Sequence, residues 1–106
     1  MKNKPPAMTF QEVINGDKPV LVDFFATWCG PCRMMSPILE QVKAKVGDQA
    51  HIIKVDVDQQ PAAAAHFRVQ GVPTLILFRN GAIRWRQSGV VQAPELLRQI
   101  SLASAG

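Results

Sequence analysis

A chain of 106 residues suffices for one compact domain and is too short for two. Its 47% hydrophobic content supports a packed core and excludes a disordered chain. The net charge of +4 comes from scattered Lys and Arg without a basic run, so weak attraction to acidic partners is expected and a nucleic-acid target is not.

The first seven residues, MKNKPPA, read as a tail, with the domain proper over 8–106. Pro5 and Pro6 lack backbone donors and oppose a regular strand. No apolar segment of the ~7–15 residues of a secretory signal follows, nor the ~18 of a membrane span, so a soluble, cytoplasmic chain is expected. Thr9-Phe10-Gln11-Glu12 has the form of a capping box, and Met8 and Val13 stand where a hydrophobic staple would. Phe10, Val13 and Ile14 give the apolar face of a helix over 9–15 that Gly16 can end.

Residues 19–26 read as a strand buried on both faces. Alternation puts Leu21, Asp23 and Phe25 on one side and Val20, Val22 and Phe24 on the other, so Asp23 falls inside an apolar run. The other reading of Asp23 is a strand-end carboxylate that reaches water. Met35, Ile38, Leu39, Val42 and Val46 recur at helical spacing over 32–46, with Pro37 inside and Gly47 at the end. Residues 51–57 form a second strand, and strand–helix–strand in this order predicts a parallel pair with a right-handed crossover. Pro61 opens a short helix through the alanines to about Phe67. Residues 74–79 and 82–88 form a hairpin about Asn80-Gly81, because both turn residues tolerate positive φ. Pro94 and Glu95 suit the first turn of a last helix, with Leu96, Leu97 and Ile100 facing the core and Leu102 a further candidate. The expected fold is α/β, a mixed sheet with helices on both faces.

The two cysteines, Cys29 and Cys32, are separated by two residues. A bridge between them closes too small a loop to be a useful staple, so chemistry is the better reading. Cys29 precedes a helix, where free N–H groups and the macrodipole favour a thiolate. Cys29 is therefore expected to be the exposed, attacking sulfur, and Cys32 the more buried one that attacks second. Zinc is disfavoured, because a structural site needs four ligands and His51 and His66 are too far apart in the chain to supply the usual short pair, so no metal is expected. Pro73, at the start of a strand, is by itself an ordinary placement for a trans proline.

Trp28–Cys32, "WCGPC", preceded by "VDFFAT" and followed by "RMMSPILE", resembles the thioredoxin family. The resemblance continues through "KVDVDQQP", "VQGVPTLILFRNG" and "SGV", over about residues 8 to 104. It implies a thioredoxin fold whose first edge strand is here short or absent. It implies a protein-disulfide reductase with Cys29 as nucleophile and Cys32 as resolving thiol. Asp23 would lie beneath Cys32 as its proton acceptor, tuned by Lys54. Val72-Pro73-Thr74 matches the family's cis-proline segment, and Trp28, Gly30, Pro31, Val72, Pro73, Gly89 and Val90 would form an apolar surface for an extended target peptide. No bound cofactor is implied: electrons come from NADPH through a thioredoxin reductase. Targets of the family are disulfide proteins such as ribonucleotide reductase, peroxiredoxin and methionine sulfoxide reductase, met by a monomer without membrane or nucleic acid.

There are departures. Phe25 replaces the tryptophan common beside the aspartate, Arg33 stands where many members have Lys, and the charge is unusually basic. Two other readings are a dedicated reductant or oxidant of an envelope compartment and a chaperone-like binding subunit without turnover. Missing export signals oppose the first, and the presence of Cys29, Cys32, Asp23 and Pro73 together opposes the second.

Overall fold

The computed structural model describes residues 9–106. The expected tail over 1–7, the staple residue Met8 and any first edge strand lie outside the described residues. The elements run α1 (Phe10–Ile14), β1 (Val20–Phe25), α2 (Gly30–Val46), a 3-10 turn (Gly47–Gln49), β2 (His51–Asp56), α3 (Pro61–His66), β3 (Thr74–Arg79), β4 (Ala82–Ser88) and α4 (Ala93–Ala105).

Among the described residues the sheet has the order β2-β1-β3-β4. β1 pairs parallel with β2, setting Asp23 opposite Lys54, and antiparallel with β3, setting Asp23 opposite Leu75. The parallel pair with α2 as its crossover and the β3–β4 hairpin both match the pattern read from the chain. One face of the sheet, with Leu21, Leu75 and Leu77, packs on Met35, Leu39 and Val42 of α2 and on Leu96, Ile100 and Ala103 of α4. The other, with Val20, Val22, Phe24, Ile76 and Phe78, is covered by Ile14 of α1 and by Phe10 and Phe67. Phe67 meets Phe78 edge-on at 5.1 Å between ring centres. β1 is thus apolar on both sides, as a central strand between two helical layers must be.

The ends of the elements show the local chemistry. Thr9 caps α1: its Oγ1 accepts from Glu12 N–H at 3.1 Å, and Glu12 Oε1 accepts from Thr9 N–H at 2.8 Å. The helix stops at Asn15 in ordinary right-handed geometry, and Gly16 is not its left-handed cap. Instead, Ile14 O and Gly16 O accept from Gly81 N–H and Asn80 N–H, so the end of α1 is satisfied by the hairpin turn. α2 begins at Gly30, two residues before the expected start at Cys32, because Cys29 takes the cap position and Pro31 needs no donor in the first turn. In α4 the buried stripe is Ala93, Leu96, Ile100 and Ala103, at helical steps of three, four and three. Leu102 falls off that stripe and is 54% exposed.

Asn80 and Gly81 both adopt positive φ, 54° and 80°. At Gly81 an added Cβ would come within 2.5 Å of Asn15 Oδ1. Gly81→Ala is therefore expected to lower stability by ~1–3 kcal/mol through backbone strain and this clash. Denaturant unfolding of Gly81→Ala in the parent and in an Asn15→Ala background separates the two: the second should recover the clash and leave the strain. Unchanged stability in both would contradict this account of the turn.

Candidate active site

The carboxyl end of β1 delivers the chain directly to the start of α2. Phe25 ends the strand, Ala26 is buried, and Cys29 N–H bonds back to Ala26 O at 3.2 Å. Cys29 has extended backbone at the cap of α2, and its Sγ accepts from Cys32 N–H at 3.1 Å. Cys29 and Cys32 are joined as a disulfide, with their Cα atoms 5.3 Å apart. Helical spacing and one capping hydrogen bond suffice to bring the sulfurs together. The expected contrast in exposure is absent: each cysteine is 4% exposed. The asymmetry lies in the hydrogen bond, which directs a positive N–H dipole at Cys29 alone.

Asp23 lies on the α2 side of β1, fully buried, and both of its carboxylate oxygens lack a hydrogen-bond partner among the described residues. Burial pushes its carboxyl up to about 6, while the Lys54 ammonium on the paired strand pulls the other way. The alternative of a strand-end aspartate in water is thereby overturned, since apolar neighbours enclose it on a central strand. Lys54 Nζ lies 3.4 Å from Ser36 Oγ, to which it donates, and 4.9 Å over the Phe25 ring. Phe25 thus supports the lysine where its strand ends.

Val72 O lies 3.7 Å from Cys29 Sγ, and the Val72–Pro73 peptide bond is cis. Gly89 N–H donates to Pro73 O at 2.8 Å, which ties the end of β4 to this loop. Of the seven apolar surface candidates, Trp28, Gly30 and Pro31 are exposed, and Val72, Gly89 and Val90 are half-buried. Pro73 departs from the expected exposure: it is buried, and shapes the loop from below. Among the described residues no group of three or more His, Cys, Asp or Glu could hold a metal ion. His51 and His66 are both exposed.

Several supporting residues were not singled out from the chain. Trp28 Nε1–H donates to Asp58 Oδ2 at 2.8 Å, which holds an exposed ring beside the disulfide. Asp56 Oδ1 accepts from the N–H groups of Asp58 and Gln59, and so shapes the loop that presents Asp58. "VDVDQQ" carries that signal, since an aspartate two residues before a free N–H favours such a turn. The Arg86 guanidinium donates to Phe67 O and Arg68 O, bracing the chain just before the Val72 loop. No local pattern joins Arg86 to that loop, because the contact crosses from β4 to the end of α3.

A family model described as Thioredoxin matches residues 4–102. The chain is 47% identical over 103 residues to a thioredoxin-like protein of Synechocystis sp., covering 96% of this chain and 98% of that one. It is 44% identical over 95 residues to a bifunctional thioredoxin reductase/thioredoxin of Mycobacterium leprae, covering 90% of this chain and 21% of that one. A solved structure of chloroplastic thioredoxin z superposes with a TM-score of 0.79 at 33% identity, covering 89% of this chain and 85% of that one. The chain belongs to the thioredoxin family, and is a dithiol–disulfide oxidoreductase that reduces protein disulfides through Cys29 and Cys32.

Proposed function

We propose that Cys29 is the attacking thiol and Cys32 the resolving thiol, and the observation that carries this is the Cys32 N–H donated to Cys29 Sγ at the cap of α2. In the reduced protein that donor and the helix dipole stabilise charge on Cys29 and not on Cys32. The Cys29 thiolate attacks one sulfur of a target disulfide. A Cys29–target bond forms, and the other target sulfur leaves as a thiolate. Cys32 then loses its proton and attacks Cys29 Sγ. The intramolecular disulfide forms and the second target thiolate departs, so two electrons have passed to the target.

Asp23 is the base for Cys32 in this reading. A buried carboxylate with its proton affinity near neutral accepts a proton that bulk water would not take efficiently. Lys54, opposite Asp23 in the sheet, limits how far that affinity rises. Trp28, Gly30, Pro31, Val72, Gly89 and Val90 offer the target an apolar rim, with Pro73 beneath. Val72, which precedes a residue without N–H, has backbone free to pair with an extended peptide.

The exchange needs no prosthetic group. Electrons reach the oxidised pair from NADPH through a separate thioredoxin reductase, a reading supported by the relative that carries both activities in one chain. The targets are disulfide proteins, with ribonucleotide reductase, peroxiredoxin and methionine sulfoxide reductase as candidates, met by a monomer in the reducing cytoplasm. No helix among the described residues is long and apolar enough to cross a membrane. The direct test is insulin-disulfide reduction driven by NADPH and a thioredoxin reductase. Turnover should vanish in Cys29→Ser and in Cys32→Ser, whereas a purely binding role would survive both.

Two further outcomes follow from the geometry. Brief alkylation of the reduced protein near pH 7, mapped by mass spectrometry, should label Cys29 well before Cys32. Equal labelling, or Cys32 first, would reverse the assignment.

The second concerns the stability of the oxidised protein. Asp23 has an ordinary value of 3.8 and a folded value of about 6, so the native state holds this proton more tightly than the unfolded chain does. Its contribution is fully present below about pH 4 and is lost as pH rises through 6, by ~3 kcal/mol in total. Asp23→Ala should remove this dependence, so its stability relative to the parent should rise between pH 4.5 and 7.5. The size of any cavity left by the substitution shifts the whole difference without tilting it. Denaturant unfolding of both proteins across that range gives the answer, and parallel profiles would refute the buried acid.

A further inference from the structure

Two cations flank a cleft beside Cys32 that, among the described residues, no acidic side chain lines. The cleft measures about 200 Å³, and its walls include Phe25, Thr27, Cys32, Arg33, Ser36 and Lys54. It opens on the Cys32 side of the disulfide, whereas Val72 approaches Cys29. Both charges are held at its rim by neutral contacts. Lys54 Nζ donates to Ser36 Oγ at 3.4 Å above the Phe25 ring, and Arg33 Nη2 donates to Thr27 O at 3.3 Å. A guanidinium has five N–H donors and an ammonium three, so each keeps donors to spare. Among the described residues the one ion pair joins Arg98 to Glu95, and neither rim cation has a carboxylate within ion-pair distance, although Lys54 acts on Asp23 from further off. Glu40 lines the adjoining groove with Lys43 and Lys54, Asp23 is buried on β1 opposite Lys54, and Asp56 pairs with Phe25 two residues after Lys54 on β2.

We propose that this cleft is a carboxylate-binding subsite, which favours target disulfides that carry an acidic side chain next to the reacting cysteine. The inference rests on Cys29 as the attacking thiol. A cleft of this size admits one carboxylate with part of its side chain and leaves no room for a folded segment. The planar guanidinium of Arg33 matches the two oxygens, and Lys54 adds a point charge with a movable donor. Exposed charge contacts of this kind change affinity by only about two- to fivefold each, too little to hold a free anion. A carboxylate tethered to the sulfur under attack needs no separate encounter, because its effective concentration beside the cleft is in the millimolar range or above. The site therefore discriminates between targets and does not capture small anions. It also gives the excess of basic residues a specific outlet beside the reacting sulfurs.

The test compares two disulfide-linked peptides that are identical except for Glu or Gln beside the cysteine. The reduced full-length protein is reacted with each, and the ratio of second-order rate constants, Glu over Gln, is measured. Taking the ratio cancels any change in Cys29 reactivity. The parent should favour the Glu peptide, Arg33→Gln should cut the ratio about threefold, and Arg33→Lys should keep part of it. Lys45→Gln removes the same charge from the exposed face of α2, outside the cleft, and should leave the ratio unchanged. An equal fall in Lys45→Gln would mean general charge steering, and an unchanged ratio in Arg33→Gln would mean that the cleft selects nothing. Either result overturns the subsite. The Gln peptide reports separately on the parent reading: a failure of Cys29 to form its mixed disulfide would overturn the attacking role whatever the ratio.

Discussion

β1 is bonded along both edges and covered on both faces, and every other feature of the active end is placed by that enclosure. A strand so held has no freedom to slip, because a shift of one residue would turn Asp23 into the layer under α1 and Phe24 into the layer under α2. Its last residue therefore ends at a defined point above the sheet, and α2 must start there. The cysteines inherit their position from this strand. The buried acid and the redox pair are thus two consequences of one constraint, since the enclosure that deprives Asp23 of water also fixes where α2 and its sulfurs begin.

The surroundings of Asp23 oppose its charge. A carboxylate with two unpartnered oxygens in an apolar layer is costly when charged. A leucine there would pack among Leu21, Leu75 and Met35 without that cost. The structure retains the acid and offsets it weakly, with one ammonium at the edge of the sheet. The proton affinity that results lies at about 6, where in the proposed role the group would both take and return a proton. Phe25, in place of a larger aromatic ring, continues this arrangement outward as the surface over which Lys54 rests.

The two sides of the disulfide differ in character. Toward Val72 the surroundings are apolar and closely tied, through Gly89 to Pro73 and through Thr74 Oγ1 to Gly71 O and Ser88 Oγ. Toward Lys54 they are cationic and open. In the proposed exchange a substrate on Cys29 would present its backbone to one side and a charged side chain to the other. Backbone pairing is indifferent to sequence, and the proposed subsite on the charged side would supply a preference among substrates that share it.

Much of this was legible in the chain. Period-two and helical spacings marked the strands and helices, Asn80-Gly81 marked the hairpin, and WCGPC after an apolar strand marked the redox pair, because each is a local pattern that backbone geometry alone enforces. What local pattern could not supply was anything that depends on a neighbour distant in the chain. Leu102 looked like a core residue until the packing of α4 set the stripe. Gly16 looked like a helix stop until the hairpin turn took over the carbonyls of α1. The order of the cysteines in the chain predicts unequal exposure, whereas packing buries both alike. Asp58 under Trp28, Ser36 beside Lys54 and Arg86 across the chain before Val72 came only from the folded molecule. Residue types and their spacing decide which groups are able to react. Long-range packing decides which of them water reaches and which charge stands opposite, and solvation and pairing then set the proton affinities on which the exchange depends.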